Sequence, residues 1–103
     1  MSASDFRPVP LFVDDREGSR QLLNIYPMSE FGELSRLDSA DIAICGNGPD
    51  GEWSHLIGLE VKSVHDLISS METGRLQGVD GQLARMLNVY HSAWLLWYGQ
   101  VRV

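Results

Sequence analysis

The sequence is poor in cysteine, in basic residues and in long apolar runs. Its one cysteine, Cys45, cannot form an internal disulfide, which favours an intracellular protein of the cytoplasm or nucleus. The longest strongly apolar run, residues 93–98, is far shorter than the roughly 20 residues of a membrane helix, so no membrane partner is predicted. The first ten residues lack the basic start and apolar stretch of a secretory signal. What remains is a single globular domain over residues 1–103.

The charge is negative overall, at −6, but it is unevenly distributed. Residues 1–59 hold four arginines against ten Asp and Glu, whereas residues 60–103 hold four basic and four acidic residues. No basic patch is visible, so bulk charge lends no support to a nucleic-acid partner. Carboxylates gathered to bind divalent cations would be partly neutralised by those cations.

The first half of the chain predicts strands joined by turns. Residues 11–13 form a short apolar strand that ends in an acidic cluster, and a short helix is predicted over residues 19–25. Residues 31–36 are ambiguous, with a strand as one interpretation. Residues 41–45 and 55–62 predict an antiparallel hairpin, because the intervening residues 46–52 are dense in turn formers.

The second half predicts two amphipathic helices and a last strand. Ser63 and Asp66 fit a capping box, and Gly74 ends the helix that follows. The apolar stripes of the two helices are Val64, Leu67, Ile68 and Met71, then Leu83, Met86, Leu87 and Tyr90. Residues 93–98 are apolar on both faces and are predicted to be a strand inside the sheet. The expected fold is α/β, a mixed central sheet flanked by helices.

The spacing of Asp41, Glu60 and Lys62 predicts a catalytic site. Residues two apart on a strand share a face, so Glu60 and Lys62 point together while Leu59 and Val61 enter the core. The hairpin can bring Asp41 beside Glu60, and two carboxylates form a hard-oxygen site suited to Mg²⁺ or Mn²⁺. A lysine nearby can act on a water or on phosphate charge, which is the chemistry of phosphodiester hydrolysis. The alternative is that Glu60 and Lys62 form the solvated face of an edge hairpin.

Several motifs in order resemble those of the XPF-family structure-specific nucleases, a branch of the restriction-endonuclease-like PD-(D/E)xK fold. Residues 13–17 (VDDRE) look like the V-D-x-R-E motif, Asp41 matches the G-D motif, and residues 60–66 (EVKSVHD) resemble E-R-K-x-x-x-D. Residues 67–71, Gly74-Arg75 and residues 82–85 follow the helical motifs. The departures are Ala40 for glycine, Val61 for arginine, a longer interval before Gln82, and no helix-hairpin-helix module.

The resemblance implies a role for each matching residue. The implied catalytic residues are Asp14, Glu17, Asp41, Glu60, Lys62 and Asp66. The implied metal ligands are Asp41, Glu60, the carbonyl of Val61 and Glu17. Glu17, together with Asp14, would bind a second metal or hold waters of the first. The implied DNA-binding residues are Arg16, Arg75, Gln82 and Arg85, with Arg16 also a partner for a site carboxylate.

Alternatives stay open at several of these positions. Arg16 fits an exposed residue at a helix start, Asp66 fits a helix cap, and Gln82 and Arg85 fit an ordinary solvated flank. The histidines have no ligand spacing with Cys45, which argues against zinc. Trp94 and Trp97 are interpreted as core or interface residues, not as a base-stacking platform.

The sequence therefore predicts an Mg²⁺- or Mn²⁺-dependent endodeoxyribonuclease acting on branched, flapped or junction DNA, as in repair or recombination. One alternative is a catalytically silent nuclease-fold subunit that binds DNA or pairs with an active partner. Another is a restriction- or repair-type nuclease of the same fold with a different substrate. The apolar residues 93–98 and the chain end at Val103 lead us to expect a missing C-terminal segment, or pairing with a second copy or a related subunit.

Overall fold

The computed structural model describes residues 10–47, 55–79 and 81–99. The strands are β1 (Leu11–Asp14), β2 (Gly32–Ser35), β3 (Ile42–Gly46), β4 (His55–Ser63) and β5 (Ser92–Tyr98). The helices are α1 (Glu17–Arg20), which continues as a 3₁₀ turn over Gln21–Asn24, α2 (Met28–Phe31), α3 (Val64–Glu72) and α4 (Gln82–Val89). The predicted α/β class with a mixed sheet is confirmed. Within the described ranges, no helix combines the length and apolarity that a membrane span requires.

The sheet has the strand order β2-β1-β3-β4-β5. β3 pairs antiparallel with both β1 and β4, whereas β2 and β5 run parallel to their neighbours β1 and β4. The predicted hairpin is confirmed, with Ile42 opposite Leu59 and Gly46 opposite His55. From residue 48 onward its predicted loop lies outside the described residues. The hairpin occupies the middle of the sheet, where both strands have neighbours on either side.

The core lies on both faces of this sheet. On one face, Phe12, Ala43 and Ala93 pack against Met86 of α4 and against Tyr90 beyond its end. On the other face, Leu11, Val13 and Ile42 are buried. Along each strand, these residues alternate with those of the first face, so both faces of the sheet carry apolar side chains. Both faces therefore need to be covered.

Gly58, in the middle of β4, leaves room for the ring of Tyr90. A Cβ atom at Gly58 would lie 2.6 Å from Cδ2 of Tyr90, well inside van der Waals contact. Tyr90 is only 6% exposed, so its ring has no free space into which to move. The absence of a side chain at residue 58 therefore fixes how closely the end of α4 approaches the sheet.

The helices differ in detail from their predictions. The first begins at Glu17, two residues earlier than predicted, and its second half is 3₁₀ rather than α-helical. The predicted buried stripes hold only in part, since Ile68, Met71 and Leu87 are each at least half exposed. A helix contacts a sheet through a narrow strip of its surface. Side chains at the edges of a wide apolar stripe lie outside this strip and stay exposed.

In the part of the chain that the structure describes, β5 lies at the edge of the sheet, so the prediction that residues 93–98 lie inside the sheet is wrong for the described strands. Among the described strands it pairs only with β4, and Trp94 and Trp97 are 59% and 60% exposed. Of the two interpretations of these tryptophans, the core alternative is therefore wrong, and the interface alternative stays a prediction. An apolar run indicates that its side chains must be buried, but it does not indicate which element buries them. Pairing with a second copy stays a prediction.

The Gly58 contact gives a direct stability test. We expect Gly58→Ala to lower the free energy of unfolding by about 1–3 kcal/mol, because the added methyl group overpacks against the Tyr90 ring. Gly18→Ala is the matched control, since Gly18 is exposed and a Cβ there meets nothing within 4 Å. Urea unfolding followed by circular dichroism measures both. Equal stability of the two variants would contradict the packing described here.

Candidate active site

Three acidic residues meet where β1, β3 and β4 lie side by side. Asp14 ends β1, Asp41 directly precedes β3, and Glu60 lies near the end of β4. The backbone N–H of Asp14 donates to the carbonyl of Asp41 at 2.8 Å, and the N–H of Asp41 donates to the carbonyl of Leu59 at 3.0 Å. The acids therefore stand on a hydrogen-bonded sheet, not on independent loops.

Asp41 is held by hydrogen bonds to both of its carboxylate oxygens. The hydroxyl of Ser19 donates to Oδ1 at 2.6 Å, and the backbone N–H of Val61 donates to Oδ2 at 2.8 Å. A side-chain hydrogen bond also joins Asp41 to Glu60. Asp41 is thus fixed in orientation by partners on α1 and β4.

Glu60 and Lys62 are buried together. Glu60 is 9% exposed, and its Oε1 lies 3.8 Å from Nζ of Lys62. The side-chain amide of Gln82 donates to the same oxygen at 3.3 Å. The alternative that Glu60 and Lys62 form a solvated face is therefore wrong, and Gln82 faces this site instead of solvent.

Burial raises the pKa of Glu60 to about 7, and the negative charge of Asp41 adds to the rise. The positive charges of Lys62 and Arg85 act in the opposite direction. A pKa raised first by burial and then by a neighbouring carboxylate occurs at functional sites and also in structural ion-pair networks. A divalent cation between the two carboxylates would offset the repulsion between them.

Asp14 is fixed by a different set of partners. Its Oδ1 accepts from the guanidinium of Arg16 at 2.8 Å and from the backbone N–H of Leu37 at 3.0 Å. Burial alone would raise its pKa, but these hydrogen bonds and the charge of Arg16 hold the pKa below its usual value. Arg16 also donates to the carbonyl of Leu37 at 2.9 Å. The expected pairing of Arg16 with a site carboxylate is therefore present.

Two adjoining pockets surround these groups. The first, of about 400 Å³, is lined by the acids and their neighbours: Asp14, Arg16, Ser19, Asp38, Ser39, Ala40, Asp41, Glu60, Gln82 and Arg85. The second, of about 500 Å³, is lined by Lys62, Asp66, Ser70, Arg75, Gln82 and Arg85. Gln82 and Arg85 belong to both, so α4 forms their common wall. We call the first the acidic pocket and the second the basic pocket.

Other predicted residues lie at the margins. Ser63 caps α3 by accepting from the backbone N–H of Asp66 at 3.2 Å, as predicted, and the Asp66 side chain also lines the basic pocket. Glu17 is exposed at the start of α1 and lines neither pocket, as the described residues define them. Val61 lies beside Asp41 through its backbone N–H.

The donor set fits a magnesium-like cation. No group of three or more His, Cys, Asp and Glu side chains suited to a metal occurs within the described ranges. Mg²⁺ needs fewer, since it is usually held by one or two carboxylates and completes its shell with water and substrate phosphate. In the acidic pocket, Oε1 of Gln82 is also buried without a hydrogen-bond partner among the described groups. Asp41 and Glu60 would supply the oxygens, and the unpaired amide oxygen of Gln82 could accept from a water of the shell.

Sequence reasoning missed four residues that line these pockets. They are Ser19, Asp38, Ser39 and Ser70. Ser19 makes a short hydrogen bond to Asp41 from 22 positions away, and no periodicity or motif marks it. Ser39 has a left-handed backbone, φ 67°, which places the sharp bend one residue before Ala40. Ala40, which stands where the resembling motif has glycine, is buried in the core.

Comparison with known proteins adds no family. No protein-family model matches the chain, and a search of curated proteins gives no significant match.

The pKa of Glu60 predicts how stability depends on pH. Between pH 4.5, its ordinary pKa, and about 7, the folded protein holds a proton that the unfolded chain has lost. Stability therefore falls as the pH rises through this window, and above it the loss is about 3 kcal/mol. We expect Glu60→Gln to be more stable than the native protein at pH 8 in EDTA, with the difference vanishing near pH 4.5. Urea titrations at both pH values measure it.

Glu72→Gln serves as the control, because Glu72 is exposed in the last turn of α3. Its effect should be small and alike at both pH values. Destabilisation by Glu60→Gln of the same size at both pH values would show that Glu60 carries no buried charge.

Proposed function

We propose that this chain is a divalent-metal-dependent DNA endonuclease of the restriction-endonuclease-like type. The observation that carries the proposal is the pairing of half-buried Asp41 with buried Glu60, with Lys62 3.8 Å from Glu60, at the β3–β4 hairpin. Two acids and a lysine at one end of a sheet supply cation ligands and a phosphate-directed positive charge. The proposed substrates are branched, flapped or junction DNA, as for the XPF-family nucleases that the motifs resemble.

In this mechanism Asp41 and Glu60 would hold Mg²⁺ or Mn²⁺ next to the backbone of Val61. When bound, such a cation would supply Lewis-acid stabilisation of the charge on the phosphate. The Lys62 ammonium orients the attacking water or stabilises the same charge. Ser19 and the N–H of Val61 keep the Asp41 carboxylate in one orientation, so little reorganisation accompanies the reaction.

The basic pocket offers the contact to the DNA backbone. Arg75, Arg85 and Lys62 line it beside the acids, and Arg75 and Arg85 are exposed. Guanidinium groups bind phosphates with paired hydrogen bonds. The local positive charge therefore stands next to the reacting carboxylates even though the chain as a whole is acidic.

A second candidate is a silent nuclease-fold subunit that binds DNA without cutting it. The absence of a three-ligand metal group among the described residues favours this candidate. The two candidates share the basic pocket and differ in the use of Asp41 and Glu60, so cleavage separates them.

Cleavage assays test the acidic pair. Purified protein is incubated with labelled duplex, flap, fork and four-way-junction DNA in Mg²⁺, Mn²⁺ or EDTA. We expect metal-dependent cutting of a branched substrate, and a fall in rate of about 100-fold or more in Asp41→Asn and in Glu60→Gln, because each removes a charged ligand. Glu33→Gln, at an exposed position on β2, should cut normally. Full activity of either site variant, or cutting in EDTA, would refute the mechanism.

Salt dependence tests the basic pocket. Binding in Ca²⁺ or EDTA should weaken as salt rises, because phosphate contacts release counterions. Arg75→Gln and Arg85→Gln should each flatten the slope of log K against log salt by about one unit. Arg36→Gln is the control, since Arg36 is paired with Asp15 at 2.6 Å and lines neither pocket of the described structure. An unchanged slope in both site variants would reassign them to ordinary surface.

A further inference from the structure

A third pocket lies on the other side of Asp41. It has a volume of about 550 Å³ and is lined by Gly18, Ser19, Gln21, Leu22, Asn24, Ile25, Asp41, Val61 and Tyr98. Val61 alternates with Glu60 and Lys62 along β4, and Tyr98 pairs in register with Ser63, so this pocket opens on the opposite face of the sheet. Asp41 and Ser19 belong to its wall and also to the acidic pocket.

The residues that line this third pocket differ in chemistry from those of the acidic and basic pockets. Its apolar part is formed by Leu22, Ile25 and Val61, and the ring of Tyr98 at its rim is 61% exposed. Two exposed amides, Gln21 and Asn24, supply donors and acceptors. Apart from Asp41, no charged side chain lines it in the described part of the chain. A phosphate would meet a carboxylate there with no cation to offset it.

We propose that this pocket binds an unpaired nucleobase of the strand that is cut, next to the scissile phosphate. The inference rests on the proposed endonuclease function and names a feature of its substrate. A base is planar and uncharged, stacks on an aromatic ring and pairs its edges with amides. The volume falls in the range of pockets that hold ligands of nucleoside size.

The shared wall fixes where the strand runs. A phosphate that contacts the Asp41–Glu60 pair lies on the face that carries Lys62 and Arg85, while its neighbouring base reaches the Tyr98 face around the end of the sheet. A base held in a duplex would first have to leave its stack and its partner. The pocket therefore selects DNA in which the nucleotide beside the cut is already unpaired, as at a flap or fork.

Fluorescence in EDTA tests the pocket without any cleavage. The probe is a flap DNA with 2-aminopurine at the first unpaired position, whose emission falls when the base stacks on a ring. We expect quenching with the native protein and with Tyr98→Phe, and its loss with Tyr98→Ala. Trp94→Ala is the matched control: Trp94 lies on the same face of β5, is 59% exposed and does not line the pocket. Circular dichroism confirms that each variant folds.

An abasic site at the same position gives a second measurement. The native protein should bind the abasic flap about tenfold more weakly than the intact flap, as expected for one lost stacked base. Tyr98→Ala should bind the two flaps equally. Quenching and abasic discrimination that persist in Tyr98→Ala would overturn the proposal. So would a native dimer that buries Tyr98 and gives no quenching, because a second copy would then be the occupant.

Cleavage in Mg²⁺ separates this proposal from the function on which it rests. If Tyr98→Ala cuts intact and abasic flaps at one rate while the native protein prefers the intact flap, both are supported. If the native protein cuts but shows no preference for the intact flap, the pocket assignment fails and the endonuclease stands. If nothing is cut but quenching depends on Tyr98, the base pocket stands in a silent DNA-binding subunit.

Discussion

The repulsion between half-buried Asp41 and buried Glu60 is the constraint on which the site depends. Burial and the charge of Asp41 raise the pKa of Glu60 to about 7, and the nearby cations Lys62 and Arg85 offset this only in part. Such a pair lowers the stability of the folded protein, so stability alone does not explain why it is present. The rest of the sheet must therefore offset the free energy of unfolding that this repulsion removes. β3 and β4 lie in the middle of the sheet, and each is hydrogen-bonded to a strand on both sides.

Rigidity follows from the same arrangement. Asp41 is joined to β4 through the carbonyl of Leu59 and the N–H of Val61, and to α1 through Ser19. Because these partners come from two elements far apart in the chain, the carboxylate orientation is set by the tertiary fold. The close approach of Tyr90 to Gly58 then fixes the end of α4, the helix that carries Gln82 and Arg85 into both pockets.

Sequence patterns predicted the parts of this fold that are local. Alternation and turn residues gave the hairpin, Ser63 gave the helix cap, and the two-residue spacing placed Glu60 beside Lys62. Ser19 could not be predicted, because its hydrogen bond spans 22 positions. The edge position of β5 was missed for a related reason. The apolar pattern of a segment indicates which of its faces are buried. Strand order depends on which strands pair with each other, and the pattern of one segment does not give that.

The two faces of the sheet carry different kinds of pocket, and this difference matters for the net charge of −6, which by itself argues against DNA binding. The described cations nearest the acids lie on the α4 side, and the apolar pocket with Tyr98 lies on the other. Long-range steering by the whole chain is weak or repulsive at low salt, yet a Debye length of about 8 Å at physiological ionic strength screens the distant carboxylates. Under the proposed function, a DNA strand in contact with this surface would meet the local cations and a metal held by the acids. Affinity would then depend on short-range groups, and discrimination would depend on whether a base is free to reach the opposite face.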